Sequence, residues 1–210
     1  MYNGGRKSFK GVAMKNLVIF LVVLGIIGGI ALKYVNVFPV LDETVKEKWA
    51  QVQNQYKRRA DLIPNLVKTV QGYASHEESV FKEVTEARSK ASQMTIDVSS
   101  LDDPAKLKEF ENAQKTLGGA LSRLMAITEN YPQLKADQNF LSLQSQLEGT
   151  ENRIAVARKD YIAAVKDYNI ALRKIPDKFI AAIFYPELKP RVTFEASEAE
   201  QSAPDVSFAK

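Results

Sequence analysis

ADQNFLSLQSQLEGTENRIAVARKDYIAAVKDYNIALRKI, residues 136–175, decides the fold. Phe140, Leu143, Leu147, Ile154, Ala157, Tyr161, Val165, Tyr168 and Leu172 recur at threes, fours and sevens. That spacing lines one stripe of an α-helix. Pro176, which has no backbone N–H, stops the run. At 1.5 Å per residue the ~40 positions span roughly 60 Å, several times an average globular helix. The expected fold is therefore all-α, an elongated helical bundle.

The neighbouring segments read as its other helices. Asp103 and Pro104 supply an N-cap and a first helical residue. Leu107, Phe110, Leu117, Leu121, Leu124 and Thr128 then mark a helix that Asn130, Tyr131 and Pro132 end. Gly118 and Gly119 inside it each cost up to ~1 kcal/mol against alanine, and are expected to admit a neighbouring backbone. The stretch TIDVSSLDD, 95–103, is a loop by composition. Further upstream, Val45, Trp49, Val52, Tyr56, Ile63, Leu66 and Val70 form one stripe, with a kink expected near 60–64 because Pro64 interrupts it. Ser75 and Glu78 have capping-box spacing ahead of Val80, Phe81, Val84, Ala87 and Ala91. If Gly72 to Ser75 only bends the chain, the alternative is a three-helix bundle with one very long first helix.

A different signal precedes the bundle. NLVIFLVVLGIIGGIAL, 16–32, lies between Lys15 and Lys33 and reads as a transmembrane signal anchor, extended to 38 by Tyr34, Val35, Val37 and Phe38 if Lys33 snorkels. Arg6, Lys7, Lys10 and Lys15 precede it without an acidic residue, which predicts a cytoplasmic N-terminus and an extracytoplasmic bundle. A cleaved signal peptide competes, since Gly29 and Ala31 have the A-x-A spacing; Met14-Lys15 also resembles a signal start, which would make the first 13 residues an upstream extension. The organisation is then a basic N-terminus (1–15), the anchor (16–38), the bundle (39–185) and a flexible acidic tail (186–210) carrying Glu195, Glu198, Glu200 and Asp205. Before that tail, Phe179, Ile180, Ile183, Phe184 and Tyr185 make a short apolar turn.

Composition narrows the chemistry. The chain has no cysteine, which removes disulfides, thiolate nucleophiles and Cys-ligated metals. His76 is the single histidine and has no second member for a His-metal cluster or a His-based triad; it reads as a surface residue. Glu77, Glu78, Glu83 and Glu86 read as a solvated face rather than a metal site, and Tyr161 and Tyr168 as core. No Gly-rich phosphate loop, G-x-S-x-G elbow or H-E-x-x-H occurs, so no cofactor and no enzymatic activity are expected. Much of the net charge of +4 sits at the anchor's flank, which argues against a nucleic-acid partner.

Longer motifs carry a resemblance. WAQV (49–52), QYKRRADLIPNLVKTVQGYASHE (55–77), VTEAR (84–88), AITENYPQLKADQNFLSLQSQLEGTENRIAVARKDY (126–161), YN (168–169), IP (175–176) and FEA (194–196) resemble the LemA family. The resemblance implies a membrane-anchored, elongated antiparallel four-helix bundle of bacterial envelopes, in the inner membrane, whose biochemical activity is not established. It suits a non-enzymatic scaffold touching lipid through its N-terminal helix, forming homo-oligomers and docking other membrane proteins. The alternative is an accessory or regulatory subunit of a membrane-bound enzyme such as an HtpX-type metalloprotease. Within the motifs, Asp61 and Asn65 share a helix face, as do Glu148 and Asn152. Arg58, Arg59, Asp61, Asn65, Glu148, Asn152 and Arg153 are expected to form an interhelical polar network, Arg59 reaching a carboxylate such as Glu148 and Asn65 or Asn152 serving the backbone beside Pro64. Loss of Asp61 or Glu148 from such a network would cost ~3 kcal/mol or more.

Overall fold

A computed structural model describes residues 5–194, apart from the side chains of 5–13 and of Ile27, Ile30 and Ala31. The side chains of Arg6, Lys7 and Lys10 on the predicted basic flank, and the acidic residues after Phe194, lie outside what is described. The described chain is all helical: α1 (Gly5–Val35), α2 (Val37–Gln71), α3 (Glu78–Gln93), α4 (Pro104–Thr128), α5 (Pro132–Lys135), α6 (Gln138–Ala171) and α7 (Asp177–Phe184), with a 3-10 turn at Val98–Ser100.

Two helix pairs make the bundle. The long α2 and α6, each about 50 Å from end to end, pack along one another, and the shorter α3 and α4 pair beside them. Three clusters of buried side chains run down the interior. One joins Ile63, Leu66 and Val70 of α2 to Phe81 and Val84 of α3, Leu117 and Leu124 of α4, Leu134 of α5, and Phe140 and Leu147 of α6. The second, nearer α1, gathers Val45, Trp49, Val52 and Tyr56 with Phe110, Ile154, Tyr161, Val165, Tyr168 and Phe194. A small third cluster seats α7, with Ala181 against Phe38 and Ala171.

Helix boundaries follow local chemistry. Asp103 caps α4 through hydrogen bonds from the Ala105 and Lys106 backbones, with Pro104 in its first turn. Asp137 caps α6 by accepting from the Phe140 N–H at 2.9 Å, which holds its carboxyl below the usual carboxylate range. The same carboxylate accepts from the Tyr73 hydroxyl at 3.0 Å, linking the α2–α3 turn to the start of α6.

Several expectations change. Helix α2 ends at Gln71 and α3 starts at Glu78, so the chain turns back here and the single very long first helix is not formed. The capping box is absent too: Glu77 occupies the N-cap without a side-chain bond. Helix α6 has 34 residues rather than about 40, because it starts only after the Asp137 cap and ends at Ala171, short of Ile175. A Cβ on Gly118 or Gly119 would meet nothing within 4 Å, so neither admits a neighbouring backbone within the chain.

The division of the chain shifts as well. Phe38, assigned to the anchor, is buried in the third cluster and belongs to the bundle. Residues 186–194, assigned to the tail, are also part of it, since Phe194 is buried among Trp49 and Tyr161. Among the described residues no helix is long and apolar enough to cross a membrane. In α1, the described apolar side chains from Leu17 to Leu24, together with Ile26 and Leu32, are exposed. Asn36, between α1 and α2, keeps right-handed helical dihedrals, so one helix leads into the other through a single residue.

Candidate functional site

A polar layer separates the two large apolar clusters, and every long helix of the bundle contributes to it. Its centre is Arg59 of α2, 5% exposed. One end of the guanidinium donates to the Glu151 carboxylate of α6 at 2.8 Å. The other donates to the Gln114 side-chain oxygen of α4 at 2.6 Å and to its backbone carbonyl at 3.3 Å. Gln114 in turn donates to the Ala91 carbonyl of α3 at 3.4 Å. The guanidinium also lies 5.1 Å from the centre of the Tyr56 ring. A buried charge is tolerated only where it is paired and hydrogen-bonded, so Arg59 requires all these groups at one level of the bundle.

Pro64 lies one turn along α2. Its missing N–H would leave the Ala60 carbonyl, four residues earlier, without its helical donor. Arg88 of α3 supplies one, its Nε donating to that carbonyl at 2.7 Å. The helix continues through Pro64, with the lost bond replaced from the neighbouring helix.

Only Arg59 of the predicted network enters this layer. Its carboxylate partner is Glu151 rather than Glu148, which is exposed and accepts from Gln144 at 3.0 Å. Arg58, Asp61, Asn65, Asn152 and Arg153 are exposed, and Arg88 takes the role beside Pro64 expected of Asn65 or Asn152. Asn152 and Arg153 instead line an open groove with Gln51, Gln55 and Asp160. Gln114, Glu151 and Arg88 were missed. Gln114 had a visible signal, since it stands on the apolar stripe of α4 between Phe110 and Leu117. In the sequence, Glu151 and Arg88 differ in nothing local from other helix charges.

A second polar centre binds residues 186–194 to the bundle near α1. The Arg191 N–H donates to the Asn169 side-chain oxygen and the Asn169 amide returns a bond to the Arg191 carbonyl, both at 2.9 Å. The Tyr161 hydroxyl donates to the Val192 carbonyl and the Val192 N–H to the Leu101 carbonyl, again at 2.9 Å. The Arg191 guanidinium pairs with Asp42 at 2.9 Å, and Arg158 lies 4.3 Å over the Phe194 ring. Partial burial raises the Asp42 pKa, but hydrogen bonds from Lys46 and Arg191 outweigh that and hold the carboxyl below its usual value. Burial pushes the Tyr161 hydroxyl well above its ordinary value. Trp49, at the centre of this end, donates to the Ile96 carbonyl at 3.1 Å.

The other residues singled out in the sequence are dispersed. His76 is exposed, and Glu83 pairs with Arg123 at 2.8 Å. Tyr161 and Tyr168 are core. Among the described residues, no three histidine, aspartate or glutamate side chains are grouped to hold a metal ion. The first polar centre joins donors and acceptors across helices, and the second joins the helices to residues 186–194.

Comparison with known proteins matches residues 48–208 to the LemA family. Magnetosome proteins MamQ 1 and MamQ 2 of Paramagnetospirillum magneticum are each 29% identical over 177 residues, covering 77% of this chain and 65% of theirs. Protein LemA of Metamycoplasma hominis is 26% identical over 156 residues, covering 74% of this chain and 66% of its own. The chain thus spans less than two thirds of the length of these relatives.

Proposed function

We propose, from the premise that this chain belongs to the LemA family, that it is a non-enzymatic scaffold held on a bacterial inner membrane by α1. The observation that carries this reading is the contrast between two successive helices. In α2 the apolar side chains at helical spacing, from Val45 to Val70, form a buried stripe, whereas those described in α1 from Leu17 to Leu24 are exposed around the helix. A helix with exposed apolar side chains on all sides is suited to lipid.

The bundle α2, α3, α4 and α6 forms the four-helix body on this anchor. The predicted orientation places it outside the cytoplasm, where it docks membrane proteins and further copies of itself. Gly25 and Gly29, four apart on α1 with open space around them, suit close packing of two such anchors.

Reporters fused after Lys210 test the topology. A reporter that works only outside the cytoplasm should be active and a cytoplasmic one silent; the opposite pattern overturns the orientation. Crosslinking in intact membranes tests the scaffold role. Copies of this chain or structural membrane proteins should be recovered, whereas a membrane-bound protease whose activity depends on this chain would replace the scaffold with an accessory subunit.

A further inference from the structure

We infer that α7 is a second membrane contact, a foot that lies in the headgroup region of the bilayer holding α1; this rests on the membrane reading of α1 above. Helix α7 is held from inside the bundle. Ala181 is buried against Phe38 and Ala171, with Ile180 and Tyr185 packed on the same cluster. Its other face has no protein cover: Phe179 is 59% exposed, Ile183 71% and Phe184 54%, with Ile175 just before the helix at 68%. Such a patch of large apolar groups on so short an element marks a contact surface.

Position identifies the occupant. Helix α7 packs against α1, and the Tyr185 hydroxyl donates to the Val35 carbonyl at 3.2 Å, at the last residue of α1. The patch therefore sits where the apolar length of α1 ends, the level at which a bilayer surface would meet the bundle. Lys33, Arg173, Lys174 and Lys178 are exposed at this end, and Asp177, the acid within α7, is turned into the protein. Glu187 follows just beyond it. Apolar groups flanked by an excess of bases match an anionic lipid interface, where side chains enter by about 5–10 Å and basic groups meet phosphates.

The absence of native cysteine makes the test direct. Phe179→Cys, Ile183→Cys, Leu24→Cys and Val156→Cys variants of the full chain carry a polarity-sensitive fluorophore. They are reconstituted into vesicles of phosphatidylcholine and phosphatidylglycerol containing nitroxide lipids, and circular dichroism verifies the fold. Val156, exposed in mid-bundle, is the aqueous control. Labels at 179 and 183 should be quenched by headgroup-level nitroxide at least about threefold more than at 156, and shielded from aqueous iodide. Lys174→Glu with Lys178→Glu should reduce that quenching without changing the Tm. Iodide quenching at 179 and 183 equal to that at 156, with Leu24 quenched by deep nitroxide, overturns the foot and leaves the anchor standing. Shielding from both quenchers means a protein covers α7, and also overturns it. A Leu24 label untouched by lipid overturns the membrane reading, and this inference with it.

Discussion

At the scale of single residues, Arg88 and Pro64 show how one helix repairs another. The Ala60 carbonyl loses its helical donor to Pro64 and gains the Arg88 Nε at 2.7 Å. Arg88→Ala should cost ~1–3 kcal/mol, the penalty of leaving a partly buried acceptor unsatisfied. In a Pro64→Ala background the helix supplies its own N–H again. The same Arg88 substitution should then cost about 1 kcal/mol less, a coupling that a double-mutant cycle by urea denaturation would reveal; additive effects would separate the two residues. The predicted network offers a contrast. Asp61→Ala and Glu148→Ala should each stay within about 0.5 kcal/mol of the parent, because both side chains are exposed. Arg59→Ala should cost several times more, since it removes the pair to Glu151 and strands the buried Gln114 oxygen. Equal melting temperatures for all three variants would contradict the polar layer.

Among the elements, the segment 186–194 is the one whose role depends least on its own composition. It has no regular secondary structure, yet Phe194 completes the aromatic cluster of Trp49, Phe110 and Tyr161. Phe194→Ala should cost ~3–5 kcal/mol, as for a large side chain removed from a packed core, and a loss below 1 kcal/mol would place the ring outside it. Asp42 adds a pH dependence of definite sign. Its carboxyl titrates lower in the folded chain than its ordinary 3.8. The stabilisation is therefore complete above the unfolded value, and is lost as pH falls through the folded one. Between about pH 5 and pH 2 the parent should lose more stability than Asp42→Asn, measured by thermal melts across that range. Parallel curves would show that the bonds from Lys46 and Arg191 to Asp42 contribute nothing.

For the whole molecule, the consequence lies in how α1 joins α2. One residue, Asn36, separates them and remains helical, so no long linker decouples the apolar helix from the bundle. With α1 bound in a membrane, the bundle would be held close above its surface. If anchors associate through Gly25 and Gly29, light scattering of the detergent-solubilised full chain should give the mass of a dimer or larger. Gly25→Leu with Gly29→Leu should return it toward the monomer. Monomer mass in the parent would remove self-association through the anchor.

The sequence by itself determined the helical class, the stripes that became core, and the caps at Asp103, because periodicity and capping act over a few residues along the chain. It also marked Arg59 and Pro64 as unusual. Tertiary structure alone decided that the chain turns back after Gln71, that Arg59 meets Glu151 and Gln114, and that Arg88 reaches the Ala60 carbonyl. These contacts join residues 28 to 92 positions apart, and neighbouring charges on a helix surface look alike until packing places one of them opposite a partner. For the same reason Phe194, read as the edge of a tail, became core: its burial is determined by the cleft among Trp49, Tyr161 and Arg158, which forms only when α2 and α6 come together.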